Sequence, residues 1–469
     1  MADETVSDTF DYDLVSIGSG PAGQRAAVQA AKLGHRVAIV EKRHCLGGVC
    51  IDTGTIPSKT FREAVLATSP FIGGSDVGGG IVPRPTAISL LSRVNGVVER
   101  EQRIVEQQLA RNGVVTYRGE AHFVDPHTIE ISLDDQTKRI RAANFVVAVG
   151  TRPTPPPGVP EHSGQVITSD EITRLGELPR TMVVVGGGVI GVEYASMFAR
   201  LGVEVTVVDG REHLMEFMDR EIIDELIHQM RDMNVVFRLG EKVETLAVPD
   251  PSVSRVVVTL ASGKRIVSEL VLFCIGRVGA TASLGLEAAG LTADERGRLK
   301  VDGQYRTAVP HIFAAGDVIG YPALAATSSE QGRLAACHAF NAEVHAMSDH
   351  FPIGIYAIPE MSMVGVTEQT LTEQKVPYET GVARYREIAR GQILGDRTGL
   401  FKMLFHRETR RLLGVHAIGT GATELIHIGQ AVLGLGGGLD YFLDTVFNYP
   451  TLAECYKVAA LDASNKLML

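Results

Sequence analysis

Residues 13–41 read DLVSIGSGPAGQRAAVQAAKLGHRVAIVE. A short apolar run, Asp13 to Ile17, ends in the glycine turn Gly18-Ser19-Gly20-Pro21-Ala22-Gly23, and an alanine-rich segment then runs to Leu33. Gly34 breaks it, and a second apolar run, Arg36 to Val40, ends on Glu41. Strand, glycine turn, helix, strand and acid in that order make a dinucleotide site. Gly18 permits the turn, Gly20 lets the backbone approach a pyrophosphate, and Gly23 lets the helix pack close to the strand. The helix start adds free N–H groups and about half a positive charge. Glu41 supplies an acceptor for an adenosine ribose.

The unit then recurs. Met182 to Val185 reads as a strand, Gly186-Gly187-Gly188-Val189-Ile190-Gly191 as the turn, and Val192 to Leu201 as the helix; Gly202 ends it, and Val203 to Val208 leads to Asp209. Two fingerprints predict two nucleotides bound at once. A flavin on the first and a nicotinamide on the second is the economical assignment, because hydride transfer needs a donor and a carrier face to face. Asp209 suits the free 2′-hydroxyl of NAD and repels a 2′-phosphate, whereas an arginine suits that phosphate. Arg211 lies two residues on, and two readings stand side by side here: a phosphate ligand in a site that accepts both NAD and NADP, or a side chain facing solvent.

At 469 residues the chain is too long for one core, so two to four domains are expected. The formal net charge of −10 argues against nucleic acid or an anionic membrane surface as the main partner. Five scattered cysteines do not form a secreted disulfide framework, and the start, MADETVSDTF, is unlike a signal peptide. No apolar run approaches the roughly 20 residues of a membrane helix. A cytoplasmic enzyme without a metal is the expectation.

Gly73 to Arg84 reads as a flexible loop, and Thr86 to Gly113 as a long exposed helix. Short β runs follow from Val114 to Val149, closed by Phe145 to Gly150, and the prolines at 153 and 155–157 mark a domain boundary. Val271 to Ile275, with Gly276-Arg277, closes the second nucleotide unit. From about Ile353 onward, β runs (Phe401 to Phe405, Leu412 to Ile418) mix with helices (Ala422 to Leu433, Leu452 to Lys466) and no fingerprint is present.

Residues 47–59, GGVCIDTGTIPSK, resemble the loop-to-helix segment of the FAD-dependent pyridine nucleotide–disulfide oxidoreductases. In that family a second cysteine follows the first after four residues, and the pair passes electrons from flavin to a thiol or disulfide. Here the first cysteine is Cys50 and the second position is Thr55. A threonine hydroxyl cannot join a disulfide. Cys45 and Cys50 have the same spacing, but Leu46 to Val49 reads as a turn and not as the start of a helix, so both are expected as reduced thiols. Thr307 to Asp317, TAVPHIFAAGD, resembles the family's second FAD segment, with Asp317 toward the ribityl chain and the helix from Ala325 passing the isoalloxazine. The family's His-Pro-Thr-x-x-Glu segment corresponds to Tyr449-Pro450-Thr451-Leu452-Ala453-Glu454, so the acid–base histidine is a tyrosine here.

The resemblance implies an α/β fold with two Rossmann-like dinucleotide-binding domains, for FAD and NAD(P), plus a C-terminal α+β dimerisation domain. Its boundaries would be 1–152 and 278–350 for a discontinuous FAD domain, 153–277 for the NAD(P) domain and 351–469 for dimerisation. It assigns Gly18, Gly20, Gly23, Glu41, Gly48, Cys50, Thr55, Lys59, Gly150, Asp317 and Ala325 to FAD. Gly186, Gly188, Gly191, Glu193, Asp209, Arg211 and Gly276 go to NAD(P), with Lys59 beside flavin N5 and paired to Glu193. Within the family the chain looks most like members that move hydride between NADPH and NAD+ through FAD, working as a homodimer or higher homo-oligomer. The alternatives are an NAD(P)H dehydrogenase that reduces a quinone and a non-catalytic flavoprotein that senses NADPH.

Overall fold

The computed structural model describes residues 10–68, 85–159, 164–250 and 255–468, so the loop expected at 73–84 and the acidic start lie outside the described residues. Two compact units account for the chain. One comprises Met1–Thr60, Leu91–Thr154 and Gly276–Met347; the other comprises Phe61–Leu90, Pro155–Ile275 and Ser348–Leu469.

The first unit is built on a parallel sheet in the order Val115–Arg118, Val37–Glu41, Tyr12–Ile17 and Gln136–Val147, with Ile312–Ala314 paired to the last turnward half of that long strand. The other half of Gln136–Val147 pairs antiparallel with Thr128–Leu133, which pairs in turn with Glu120–Asp125. Alternate residues of the central strands enter two different cores. Leu14, Ile39 and Val146 pack with the helix Pro21–Lys32 and with Ala335 and Ala336 of Ala325–Ala339. Val15, Val40 and Val147 pack with Phe123, Ile129 and Ile140. Both faces are covered, which explains why the strands read as continuous apolar runs with no alternation.

The second unit repeats the theme: a five-stranded parallel sheet in the order Val236–Leu239, Glu204–Asp209, Thr181–Val185, Leu270–Phe273 and Val166–Thr168. An antiparallel ribbon, Val243–Ala247, Val256–Leu260 and Arg265–Ser268, is attached. The C-terminal part is an antiparallel sheet ordered Ile353–Ile355, Met361–Gly365, Leu412–Ile418, Leu400–His406 and Tyr378–Arg384. Helices Ala422–Gly434 and Glu454–Leu467 cover it through Ile426, Val432, Tyr456 and Ala459. The side chain of Lys402 on this sheet is 1% exposed and ion-pairs Asp219 at 3.1 Å, Glu221 at 3.1 Å, and Glu368. Asp219 caps the helix Arg220–Asp232, so the ammonium joins that helix to the sheet. His416, directly across the strand pair from Lys402, is fully buried with Nε2 2.9 Å from the Val366 carbonyl.

The long helix read from Thr86 to Gly113 is Ala87–Arg111. The helix of the second fingerprint starts at Val189, three residues before its apolar run suggests, because the glycine turn itself delivers the first helical turn. Leu46 to Val49 is corrected: Gly48–Asp52 forms a short helix, and Gly47 and Gly48, at φ 115° and 59°, bend the chain into it. Among the described residues, no helix is long and apolar enough to cross a membrane.

Candidate active site

The two glycine turns share one geometry. A Cβ on Gly18 would lie 2.4 Å from the Ala148 carbonyl oxygen, and one on Gly186 would lie 2.8 Å from that of Cys274. A Cβ on Gly23 would lie 1.9 Å from the Gly18 oxygen, and one on Gly191 would lie 2.0 Å from the Gly186 oxygen. Each turn is thus pressed against its own helix and a neighbouring strand. Gly20 and Gly188 are the opposite case, with no protein atom within 4 Å of where a Cβ would stand. Each begins a helix, Pro21–Lys32 or Val189–Arg200, that no side chain caps. Open backbone at an uncapped helix start receives a pyrophosphate.

In the first unit Glu41, 5% exposed, closes the strand Val37–Glu41 and accepts hydrogen bonds from Ser19 N at 2.9 Å, Ser19 Oγ at 2.6 Å and Arg43 N at 2.8 Å. Ser19 Oγ also accepts from Gly47 N at 2.9 Å, and a Cβ on Gly48 would sit 2.8 Å from Gly20 Cα. The cysteine-bearing segment is therefore fastened to the first fingerprint through Ser19. Arg43 pairs with Asp52 at the end of the short helix and holds it from the other side. Gly150 lies past the end of its strand at φ 64°, with open space at its α-carbon.

Cys50 is a free, partly buried thiol, and Cys45 is a free, buried one. Burial pushes the Cys50 thiol up, and a hydrogen bond with the Thr55 hydroxyl and the nearby Lys59 ammonium oppose that rise. Thr55 occupies the sequence position of the family's second cysteine. Lys59 Nζ lies 3.3 Å from Ser58 Oγ. Asp317 follows the strand Ile312–Ala314; burial raises its carboxyl, against Arg277 and the Ser328 and Thr151 hydroxyls. Arg277 is itself held by Thr151, from Nε to Oγ1 at 2.9 Å and from its terminal nitrogen to the carbonyl at 3.0 Å. Thr151, Arg277 and Gln331, which accepts from Gly316 N at 2.9 Å, escaped the sequence reading; only the threonine and arginine beside the two glycines at 150 and 276 hinted at them. Ala325 opens the helix Ala325–Ala339, and Gly276 lies at φ 77° with its α-carbon facing Thr154. These residues fit a flavin dinucleotide: an open glycine turn, a buried acid beyond it, and a partly buried thiol and lysine on the adjoining helices.

In the second unit Asp209 closes the strand Glu204–Asp209 and accepts from Gly187 N at 2.6 Å and Arg211 N at 2.8 Å. The Arg211 side chain is half-exposed, at 51%. Its guanidinium folds back onto Asp209, with Nε to Oδ1 at 2.9 Å and a terminal nitrogen to Oδ2 at 2.7 Å. Burial alone would raise the Asp209 carboxyl; Arg211 and the Gly187 amide outweigh it and hold it below the usual carboxylate range. Glu193, 3% exposed, accepts from Tyr356 N at 2.8 Å, and Ser196 Oγ accepts from Ile358 N at 2.9 Å. Lys59 belongs to the first unit and Glu193 to the second, so their pairing stays a proposal. Tyr449 is 73% exposed, whereas one Glu454 oxygen is buried without a hydrogen-bond partner among the described residues.

Residues 12–332 match the family model described as pyridine nucleotide-disulphide oxidoreductase, and residues 351–460 match the dimerisation domain of the same family. Among curated relatives, the soluble pyridine nucleotide transhydrogenase of Mycobacterium bovis is 51% identical over 97% of this chain and 98% of its own. That of Hahella chejuensis is 44% identical over 98% and 99%. Among solved structures, the HOCl-induced flavoprotein disulfide reductase RclA of Escherichia coli superposes with a TM-score of 0.87 at 27% identity, covering 96% of this chain and 99% of that one. LpdA of Mycobacterium tuberculosis does so with a TM-score of 0.86 at 26% identity, over 96% and 99%.

Proposed function

This chain belongs to the pyridine nucleotide-disulphide oxidoreductase family, and from that premise we propose that it is a transhydrogenase, which carries hydride between NADPH and NAD+ through bound FAD. The observation that carries the reading is that Cys50 is a free thiol and the second position is Thr55, so the segment offers no disulfide to receive electrons. Tyr449 in place of the family's histidine agrees, since the imidazole that serves the family as acid and base is absent from that position. With all five cysteines free and no disulfide among the described residues to take the electrons, another nicotinamide is the natural oxidant. The names of the curated relatives support the same activity, and the dimerisation-domain match over residues 351–460 supports a homodimer formed through residues 351–469; we place this activity in the cytoplasm.

FAD, when bound, accepts hydride from one nicotinamide and returns it to the next. The chain's own work is placement. Gly18, Gly20, Gly23 and Glu41 hold the adenosine diphosphate end of the flavin, and Asp317 holds its ribityl chain. Gly186, Gly188, Gly191 and the Asp209–Arg211 pair hold NADPH and NAD+ in turn at one site. No side chain acts as nucleophile or general base, so the rate comes from orientation and electrostatics. Lys59 and Glu193 would orient the flavin ring, and the Lys59 ammonium would supply a positive charge beside it. Lys59→Met is therefore expected to slow flavin reduction by NADPH about tenfold or more in stopped flow; an unchanged rate removes Lys59 from this role.

The test of the function is steady-state hydride transfer from NADPH to an NAD+ analogue whose reduced form absorbs separately, with a quinone assay alongside. Rapid transfer with parallel double-reciprocal lines is expected. Negligible transfer beside fast quinone reduction would replace the transhydrogenase with a dehydrogenase.

A further inference from the structure

The Asp209–Arg211 pair creates a problem for any nucleotide. Asp209 is 7% exposed, and its two oxygens already accept four hydrogen bonds, from the Gly187 and Arg211 amides and twice from the Arg211 guanidinium. Four bonds fill the lone-pair sites of a carboxylate. A ribose hydroxyl reaches Asp209 only when the guanidinium swings away, and a 2′-phosphate captures Arg211 only by taking it from Asp209. That phosphate carries between one and a half and two negative charges at neutral pH, roughly. One guanidinium shared with a carboxylate is too little cation for it.

A second basic residue, Lys242, lays its stem against Gly210 and comes from a distant part of the sequence. The turn Gly240-Glu241-Lys242, after the strand Val236–Leu239, is pinned to the 209–211 segment by two backbone bonds, Gly240 N to the Arg211 carbonyl at 2.9 Å and Glu241 N to the Asp209 carbonyl at 3.1 Å. Lys242 O accepts from Ala261 N at 2.8 Å, which fixes the base of the side chain. Its stem crosses Gly210, where a Cβ would lie 3.1 Å from Lys242 Cγ and 3.5 Å from Cε. The absence of a side chain at 210 is what lets the lysine stem pass over the residue that separates Asp209 from Arg211 in the chain. Lys242 is exposed, while its neighbour Glu241 is engaged by Lys264 at 3.0 Å.

We propose that Lys242 is a specificity-determining residue: with Arg211 it takes the adenosine 2′-phosphate of NADP(H), and it has no part in holding the ribose diol of NAD(H), which falls to Asp209. The assignment rests on the reading that this one site serves both nucleotides. Each nucleotide displaces the same internal ion pair, so that cost is shared and cancels in the comparison. What separates the two is the second cation. Arg211 alone offsets the phosphate against Asp209 incompletely, and the Lys242 ammonium supplies the remainder.

The experiment is calorimetric titration of the oxidised, FAD-loaded enzyme with NADP+ and, separately, with NAD+. Lys242→Met keeps the stem over Gly210 and removes the charge. Its Kd for NADP+ is expected to rise about tenfold, the loss of one charge-assisted contact, while its Kd for NAD+ changes less than about twofold. Lys242→Arg is expected to restore NADP+ binding to within about threefold of the parent enzyme. Equal weakening of both nucleotides, or no change in either, overturns the assignment. A parent enzyme that binds neither nucleotide overturns the transhydrogenase reading itself, and with it the role of Lys242.

Discussion

Gly191→Ala is expected to give a protein that is still yellow and whose flavin NADPH no longer reduces. The added Cβ would stand 2.0 Å from the Gly186 carbonyl oxygen, a backbone atom fixed at the end of a buried strand, so no side-chain rotation relieves the clash. The helix Val189–Arg200 must move outward or tilt, and it carries with it the Glu193 carboxylate and the uncapped start proposed to receive the pyrophosphate. A displacement of about 1 Å at a positioning element costs on the order of a hundredfold in rate. The first fingerprint lies in the other unit and keeps its own geometry, so FAD content is expected to stay near that of the parent. Gly23→Ala, with its Cβ 1.9 Å from the Gly18 oxygen, is the matched case and is expected to yield colourless protein. Flavin absorbance and stopped-flow reduction of the two variants test this. A Gly191→Ala enzyme reduced at the parental rate would mean that NADPH does not bind on the second fingerprint.

Lys402→Met is expected to be the most damaging substitution outside the nucleotide turns. It leaves the Asp219 side chain, 1% exposed, next to the carboxylates of Glu221 and Glu368 with the cation between them gone. Removing one partner of a buried ion pair costs about 3–5 kcal/mol. Glu221 and Glu368 retain 45% and 33% of their side-chain exposure, and solvent screening places this case near the lower end. A fall in Tm of about 5 °C follows. Burial on its own would lower the Lys402 pKa, but Asp219 and Glu368 outweigh it and hold the ammonium above the free-lysine value. The sign is therefore that of a base bound more tightly in the folded state. Its stabilisation is complete below about pH 10 and is lost only as the pH rises further. Thermal melts should show a gap between parent and variant that is constant from neutral pH to about 9 and narrows above 10. Equal melting temperatures would show that the cluster is dispensable.

The nucleotide turns were legible because their chemistry is local. Gly18 to Gly23 and Gly186 to Gly191 each specify a turn, a helix start and a close contact within six residues, and an acid ends each following strand. The loss of the second cysteine at Thr55 was equally plain, since a single residue type decides it. Long-range contacts were not legible. Nothing in the sequence sets Lys242 across Gly210, or gathers Asp219, Glu368 and His416 around Lys402, because such pairs are fixed by strand register and turn closure. The Asp209–Arg211 bond is the instructive middle case. The two residues are adjacent enough to be noticed together, but whether the arginine faces its neighbour, a phosphate or water depends on the bend at Gly210. Leu46 to Val49 failed for a related reason: two glycines read as a turn, and the helix that starts at the second of them is stabilised by its seat against Gly20.

The long strand Gln136–Val147 accepts its last neighbour, Ile312–Ala314, from a stretch about 170 residues further along the chain. On the ribosome this imposes an order of events. At roughly 5–20 residues per second, the edge of the first sheet waits for its closing strand for about ten seconds or longer after Val147 has been made. The five strands of the inserted parallel sheet, Val166 to Phe273, are all synthesised within that interval. The later nucleotide fold is thus free to close first, while the earlier one, proposed to receive the flavin, is finished by a segment made after it.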